Sequence, residues 1–207
     1  MRNNNYSKVT TKFYDENLSE YIKNTKKLQD KEWINKFSKL LPKKSKVLDL
    51  GCGYGRDCKT FVELNFDTYG IDLSRKMVAK ARKIAKKAKF KVMNILELKF
   101  SDKFFDGVWC SASLLHISKK DLPNAINEIK RVLKENGLCY LSVKLGKGEG
   151  MFKDKRYNNA KKFYSYYSEK EIKSLLNKNN FSIINFSIDK TRNNYKIEDF
   201  IHIIARK

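Results

Sequence analysis

Long apolar runs are absent from this sequence. None of its 207 residues lies in an uninterrupted apolar stretch near the roughly 18 residues that a membrane-spanning helix needs. Residues 1–12 are polar and carry no secretory or transit pattern. These absences argue against a secreted or membrane-spanning protein and predict a cytoplasmic one.

Residues that bind metals or form disulfides are scarce. The chain has four cysteines and two histidines, and no C-x-x-C pair occurs. Neither histidine has a spacing to the cysteines that is typical of a metal site. The cysteines fall in or beside apolar segments, which is typical of reduced thiols, so we predict no metal, no disulfide and a reducing compartment. The residues concerned are Cys52, Cys58, Cys110, Cys139, His116 and His202.

Arginine is also rare, although the chain is strongly basic. Of 45 basic residues, 8 are Arg and 37 are Lys, and the formal net charge is +22. Arg makes the bidentate contacts to phosphate and guanine, so its scarcity weakens the case for a dedicated nucleic-acid platform. Lysines occur along every predicted helix rather than in one block. The sequence therefore favours a solvated surface that attracts acidic partners over long range, and nucleic-acid binding is the less favoured alternative.

The most informative stretch that is present is a glycine turn between two regular segments. Residues 47–50 (VLDL) are typical of a buried strand, Gly51, Gly53 and Gly55 follow directly, and an apolar helical pattern begins at Arg56. Glycines there let the chain turn sharply and let a ligand approach the main chain. The spacing differs from the dinucleotide fingerprint G-x-G-x-x-G, so it does not predict a pyrophosphate site.

A second acid lies at the end of the next strand-like segment. Asp72 follows residues 68–71 (TYGI) and stands nineteen positions beyond Gly53. An open α/β sheet places a carboxylate at about this spacing against the ribose hydroxyls of a nucleoside. The turn and this acid together predict a nucleoside-binding site at the ends of two adjacent parallel strands.

The remaining pattern predicts one α/β domain, residues 44–207, behind a helical segment, residues 1–43. Its hydrophobic content of 41% is enough for a full core. Two amphipathic helices precede the first strand, within residues 13–28 and 31–41. Helices alternate with the early strands, and the last two strands pair antiparallel through a loop at 191–194, which gives a doubly wound, seven-stranded, mostly parallel sheet with a C-terminal antiparallel hairpin. The later strands are predicted at 90–93, 104–110, 138–145, 181–188 and 200–205.

Residues 146–150 interrupt all periodicity. Three glycines surround a Lys and a Glu there, and an aromatic cluster follows within residues 163–167. This composition predicts either a mobile flap over the pocket or a surface loop without chemistry.

Three segments resemble the motifs of a known family. VLDLGCGYG at 47–55, YGIDLS at 69–74 and FDGVW at 105–109 resemble those of the class I S-adenosylmethionine (SAM) methyltransferases. The resemblance covers nearly all of residues 44–207 and implies the same fold, SAM as cofactor and methyl transfer as the reaction. The family usually has Asp where this chain has Asn94, and the amide oxygen of Asn can accept the same hydrogen bond from adenine.

The resemblance also implies cofactor contacts. Gly51 and Gly53, with Asp49, are expected to hold the methionine part of SAM, and Asp72 the ribose. Arg56 either reaches the methionine carboxylate or faces water. The full set of expected cofactor-binding residues is Asp49, Gly51, Cys52, Gly53, Arg56, Asp72, Leu73, Asn94, Ile95 and Ser111.

The acceptor side is less defined. Residues 111–117 are expected to cross the carboxyl ends of the strands, and His116 is the side chain there whose ordinary pKa suits proton transfer near pH 7. His116 is the candidate catalytic residue, with packing as the alternative. The resemblance implies that residues 1–43 form a lid or substrate wall, with Tyr14 and Tyr21 toward the acceptor, whereas a plain helix-packing stripe is the alternative.

Three functions are compatible with these patterns. The first is methyl transfer to a nitrogen or oxygen atom of a small molecule. The second is methylation of RNA or protein, which the charge supports; against it, the fourth strand ends in WCSA at 109–112 and not in the Asn/Asp-Pro-Pro-aromatic motif used on base amines. The third is SAM binding without catalysis. Neither the acceptor nor the oligomeric state follows from the sequence.

Overall fold

The structure, a computed structural model, describes residues 5–190 and 199–207. The helices are α1 Asn5–Glu16, α2 Leu18–Thr25, α3 Lys31–Lys39, α4 Arg56–Glu63, α5 Arg75–Ile84, α6 Leu122–Val132 and α7 Glu169–Lys178. The strands are β1 Lys46–Leu50, β2 Asp67–Asp72, β3 Lys89–Val92, β4 Phe105–Ser111, β5 Leu133–Leu145, β6 Glu149–Asp154, β7 Ala160–Tyr167, β8 Ser182–Asp189 and β9 Phe200–Arg206. Two short 3-10 turns lie at Leu114–His116 and Lys155–Tyr157.

A mostly parallel sheet forms the centre of the molecule. The strands β3-β2-β1-β4-β5 are parallel in that order, and β9 lies antiparallel between β5 and β8. These seven strands confirm the predicted α/β sheet and its C-terminal antiparallel hairpin. The loop predicted at 191–194 lies outside the described residues.

Two further strands were not predicted. The strands β6 and β7 pair antiparallel, and the end of β7 continues parallel to the end of β5. Gly146 and Gly148, both with positive φ, do lie in a loop, but Glu149 and Gly150 already belong to β6. The segment predicted as a flap or loop is therefore the entry to a β-hairpin, and the predicted aromatic cluster lies on its second strand.

Helices cover both faces of the sheet, as a doubly wound fold requires. On one face, α6 and α7 bury Ile126, Ile129 and Leu176 in the main core. On the other face, α3 and α4 bring Phe37 and Phe61 against Trp109. Burial of each such side chain contributes about 1.5–3 kcal/mol.

The N-terminal helical segment starts earlier than predicted and contains a break. Among the described residues α1 begins at Asn5, because Tyr6 and Thr10 lie on the same face as Phe13 and extend the contact with β7. The helix ends before Asn17, whose side-chain amide donates to the Phe13 carbonyl at 2.9 Å. Consequently α1 lies against β7 and α5, and α2 follows as a separate helix.

Serine side chains cap two of the helices. Ser74 caps α5 by accepting a hydrogen bond from the Met77 amide, and Ser168 forms a capping box with Glu171 on α7. The helix α6 ends at Val132, and β5 begins at the next residue, with a register shift against β4.

Within the described part of the chain, no helix is both long and apolar enough to cross a membrane. All four cysteines are buried and carry free thiols.

Candidate functional site

A cavity opens at the carboxyl ends of β1, β2 and β4, beneath α1 and α2. The strand order reverses direction between β1 and β4, and this is where open α/β sheets bind ligands. Six of the predicted cofactor-binding residues line the cavity, namely Gly51, Gly53, Asp72, Leu73, Ile95 and Ser111. The predicted acceptor-side residues Tyr14, Tyr21 and His116 line the same cavity.

The glycine turn is shaped by close packing on one side and open space on the other. Gly51 has φ of +81°, and a Cβ built on it would lie 2.3 Å from the Cβ of Ser113. Gly53 has φ of +51°, and a Cβ there would meet no atom within 4 Å. Only glycine fits the first position, while the second leaves main-chain atoms exposed to a ligand.

Asp72 is the carboxylate of the cavity. One of its oxygens accepts the Gly53 amide at 2.9 Å and the other accepts the Ser74 amide at 2.8 Å. Burial raises the pKa of Asp72 to about 6, despite these hydrogen bonds. Each carboxylate oxygen has further lone pairs, so the group is suited to accept hydrogen bonds from two neighbouring hydroxyls.

Four predicted cofactor residues do not line the cavity. They are Asp49, Cys52, Arg56 and Asn94. The Arg56 guanidinium binds the Asp57 carboxylate at 2.8 Å and the Thr25 carbonyl at 3.1 Å. The Asn94 side-chain oxygen accepts the Leu96 amide at 2.9 Å. Both side chains are thus engaged in local contacts.

Asp57, next to the glycine turn, has side-chain partners that the sequence did not reveal. Burial alone would raise its pKa, but the Arg56 guanidinium holds the pKa of Asp57 below its usual range. Gln29 and the Trp109 indole also donate to this carboxylate, at 3.1 and 3.0 Å. The Arg56–Asp57 pair therefore connects α2, the loop between α2 and α3, α4 and β4 behind the cavity.

Asp49 and Cys52 lie beneath the glycine turn. Asp49 is 3% exposed, and its carboxylate accepts a hydrogen bond from the Cys58 thiol at 3.2 Å. Burial, followed by the nearby charge of Asp57, raises the pKa of Asp49 above its usual range. These groups support the turn from the protein interior.

On the opposite side of the cavity, His116 is held by two hydrogen bonds. Its Nδ1 lies 2.7 Å from the main-chain oxygen of Phe163 and its Nε2 lies 2.8 Å from the Tyr14 hydroxyl. A carbonyl can only accept, so Nδ1 carries the proton and the Tyr14 hydroxyl donates to Nε2. Burial lowers the pKa of His116 to about 3, and the nearby cations Lys162 and Lys144 also act in this direction. The imidazole is therefore neutral at pH 7.

Hydroxyl groups of the N-terminal helices complete this wall. Ser7, Thr10 and Thr11 line the cavity beside Tyr14, and the Tyr14 and Tyr21 rings meet edge to face at 5.0 Å. Burial raises the pKa of both tyrosines, so both stay protonated. The sequence analysis missed the three smaller residues, although their spacing to Tyr14 of three, four and seven positions places all four on one side of a helix.

The fold and the cavity together define a class of protein. A doubly wound sheet with a glycine turn after β1 and a buried carboxylate after β2 is the arrangement that holds a nucleoside at the strand ends. The open space at Gly53 and the hydrogen-bonding capacity of Asp72 fit the adenosine of SAM. These features define a class I SAM-dependent methyltransferase domain.

Comparison with known proteins gives the family directly. A family model described as "Methyltransferase domain" matches residues 14–185. The chain belongs to this family, and SAM is its cofactor.

The chain is also similar to individual curated proteins. The chain is 30% identical over 141 residues to carboxy-S-adenosyl-L-methionine synthase of Campylobacter curvus, covering 65% of this chain and 57% of that protein. The chain spans about half the length of the curated relatives it matches.

Two solved structures show the likeness in three dimensions. A SAM-dependent methyltransferase from Methanosarcina mazei superimposes with a TM-score of 0.74 at 25% identity, over 84% of this chain and 96% of that one. A Burkholderia thailandensis 1,6-didemethyltoxoflavin-N1-methyltransferase with bound 1,6-didemethyltoxoflavin and S-adenosylhomocysteine has a TM-score of 0.72 at 20% identity, over 98% and 88% of the two chains. The second likeness concerns the fold alone.

Proposed function

We propose that this protein transfers the methyl group of SAM to a nitrogen or oxygen atom of a small molecule. The observation that carries the proposal is that one cavity is bounded by both Asp72 and the Tyr14–His116 pair. A nucleoside-binding side and a polar second side therefore face the same space. The toxoflavin methyltransferase, which has the same fold, has 1,6-didemethyltoxoflavin and S-adenosylhomocysteine bound in its crystal structure.

The cofactor side supplies binding and alignment. Of the residues that line the cavity, Asp72 would receive the ribose hydroxyls, Gly51 and Gly53 would present main-chain atoms to the methionine part, and Leu73 and Ile95 would contact the adenine. When bound, SAM supplies a methyl group made electrophilic by its sulfonium charge. Outside the cavity wall, the side chains of Asp49, Arg56 and Asn94 are bonded to the Cys58 thiol, the Asp57 carboxylate and the Leu96 amide, respectively. The direct cofactor contacts predicted for these residues and for Cys52 stay predictions.

On the acceptor side, Tyr14 is the contact residue and His116 positions it. The Tyr14 proton is directed to His116, which leaves the lone pairs of the tyrosine oxygen available to an N–H or O–H group of the acceptor. Such a hydrogen bond aligns the acceptor lone pair with the methyl group, and this alignment is the main requirement of methyl transfer. In the predicted N-terminal segment, α1 and α2 act as a substrate wall through Tyr14, Tyr21 and the hydroxyls of α1.

Proton removal is not assigned to His116. Its pKa of about 3 makes the imidazole too weak a base near pH 7, and its one free lone pair already accepts from Tyr14. An amine fits this arrangement, because it can react through its free lone pair and release a proton afterwards without a base at His116.

The proposal is tested with methyl-labelled SAM and a small-molecule fraction of a cell extract. We expect label in one small-molecule fraction, S-adenosylhomocysteine as the second product, and strongly reduced label with Asp72→Ala. Label in RNA or protein fractions would favour the alternative acceptors that the charge of +22 supports. Tight SAM binding without labelled product in any fraction would favour a non-catalytic role. The cytoplasmic location stays a prediction.

A further inference from the structure

The chain from the start of α5 to β3 concentrates positive charge. Residues 75–91 contain nine Lys or Arg residues and no Asp or Glu. An even spread of the 45 basic and 23 acidic residues would place about four and two in a segment of this length. We call this set the basic face, and it departs from the even distribution of lysines expected from the sequence. Its members are Arg75, Lys76, Lys80, Arg82, Lys83, Lys86, Lys87, Lys89 and Lys91.

The basic face is almost entirely open to solvent. All of its members except Lys80 are exposed. Lys76, Lys80 and Lys83 are spaced by four and three residues on α5, which puts neighbouring side chains about 5–6 Å apart along one side of the helix. Arg75, Arg82 and Lys91 line a groove together with Lys99. These charges therefore form one row along α5 and line a groove.

Little of this charge is neutralised within the protein. Counting residues 5–190 and 199–207, Lys89 is the one member of the basic face with a carboxylate within 4.0 Å, that of Asp67 at 2.8 Å. Arg82 donates to the main-chain oxygen of Phe90 at 3.1 Å. A bound polyanion would supply the missing negative charge and release its own counterions.

We propose that the basic face binds the phosphate backbone of nucleic acid, separately from methyl transfer. Lysine binds phosphate as a point charge, so rows of lysines give affinity with little base selectivity. A membrane or a folded acidic protein fits less well, because insertion and interface formation use exposed aromatic or large apolar anchors. Val92, 45% exposed, is the only such exposed large apolar side chain among the described residues of the groove.

The basic face adjoins the cofactor side of the cavity. Met93 lines both the groove and the cavity, whereas Tyr14 and His116 line the cavity alone. Nucleic acid on this face therefore lies beside the adenosine end and is not presented as the methyl acceptor. Binding to it is independent of which acceptor the enzyme uses.

The test compares two variants with the same change in charge. In the first, Lys83, Lys86, Lys87 and Lys91 are replaced by Gln; in the matched control, Lys120, Lys155, Lys170 and Lys178, exposed lysines elsewhere, are replaced by Gln. The probe is a fluorescein-labelled 20-nucleotide poly(U) RNA, chosen because weakly stacking bases report backbone binding. Fluorescence anisotropy is measured from 50 to 300 mM KCl, and calorimetry with S-adenosylhomocysteine verifies that each variant is folded.

We expect the first variant to bind the RNA at least about tenfold more weakly than the unmodified protein at low salt. Loss of four contacts lowers the slope of log K against log salt by about 3 for a single strand. The control variant is expected to change affinity by less than about threefold.

Equal losses in the two variants would overturn the proposal, because they would show a diffuse effect of net charge. Poly-glutamate binding as tightly as the RNA, or tighter binding to phosphatidylglycerol vesicles, would also overturn it in favour of another partner. Affinity for S-adenosylhomocysteine is expected to be unchanged in both variants.

Discussion

The two sides of the cavity are built in different ways. On the cofactor side, Asp72 is held by main-chain amides two and nineteen residues away, at Ser74 and Gly53. On the acceptor side, His116 is held by Tyr14, 102 residues away, and by Phe163, 47 residues away. The first side is a local product of one βαβ unit, and the second exists only after α1 and the β6–β7 hairpin have docked. Substitutions on the cofactor side should therefore change the affinity for the cofactor, whereas substitutions on the acceptor side should change mainly the free energy of unfolding.

The largest expected effect is on the cofactor side, at Gly51. Gly51→Ala combines a positive φ with a Cβ 2.3 Å from Ser113, so we expect a loss of about 3 kcal/mol in the free energy of unfolding and loss of S-adenosylhomocysteine binding. The matched control is Gly148→Ala, which has the same φ of +81° but no atom within 4 Å, and should cost about 1 kcal/mol. Urea unfolding measures both. Equal losses would show that contact with Ser113 does not fix the turn.

The next effect concerns Asp72, the carboxylate that we propose binds the ribose. Asp72→Ala should weaken S-adenosylhomocysteine binding by about 1.5–3 kcal/mol in calorimetry, the range for hydrogen bonds to a charged group. Since the pKa of Asp72 is raised to about 6, the affinity of the unmodified protein should also fall as pH decreases below 6, and this fall should be absent in the variant.

Asp67→Ala is the control for that prediction, because Asp67 lies on the same strand and pairs with Lys89 on the surface. An affinity that stays the same in Asp72→Ala would remove the ribose assignment.

A third prediction concerns the acceptor side and the way in which His116 makes the free energy of unfolding depend on pH. The pKa of His116 is lowered to about 3 in the folded protein and is about 6.5 when unfolded, so the unfolded state binds the extra proton between these values. Stability from this group is fully present above pH 6.5 and is lost as pH falls toward 3, by up to about 1.4 kcal/mol per pH unit.

The measurement is urea unfolding at pH 8 and pH 5 for the unmodified protein and His116→Asn. We expect the variant to lose about 2 kcal/mol less than the unmodified protein between these two pH values. Parallel losses would mean that the pKa of His116 is not lowered in the folded protein, so that burial does not keep the imidazole neutral at pH 5.

The smallest effect is expected at the Tyr14 hydroxyl. Tyr14→Phe leaves Nε2 of His116 without its donor, so unfolding should become easier by about 1 kcal/mol, while affinity for S-adenosylhomocysteine should change by less than about twofold. Tyr21→Phe is the control, since phenylalanine keeps the edge-to-face contact with Tyr14. A large loss of cofactor affinity in Tyr14→Phe would show that the acceptor side and the cofactor side do not act independently.

This contrast also explains what could be predicted from the sequence. The glycine turn and Asp72 were predictable because strand, turn and acid follow one another in the chain and act largely through the backbone. The conformation of Arg56 was not predictable. Whether its guanidinium binds a ligand or protein groups depends on the neighbouring Asp57 and on the Thr25 carbonyl, 31 residues away. Residue type alone does not decide between such partners.

The β6–β7 hairpin was missed for a related reason. Its second strand buries Lys162, 2% exposed, whose ammonium lies 3.0 Å from Asp154 on the first strand and 4.2 Å from the centre of the Phe13 ring. In a sequence, a lysine at this position favours an exposed loop, because the residue that would pair with its charge in a buried strand is not known. The pairing that makes the burial tolerable becomes visible only in the folded protein.

The contact between the hairpin and the cavity is made by the main chain of Phe163. Its carbonyl oxygen accepts from His116 and its amide donates to the Thr10 hydroxyl at 3.1 Å. Every amino acid except proline carries both of these groups, so the alignment of His116 does not depend on which side chain stands at this position. A change of the Phe163 side chain can thus leave both main-chain hydrogen bonds in place, whereas the Tyr164 ring, 5.1 Å from the His116 ring, contacts the histidine directly.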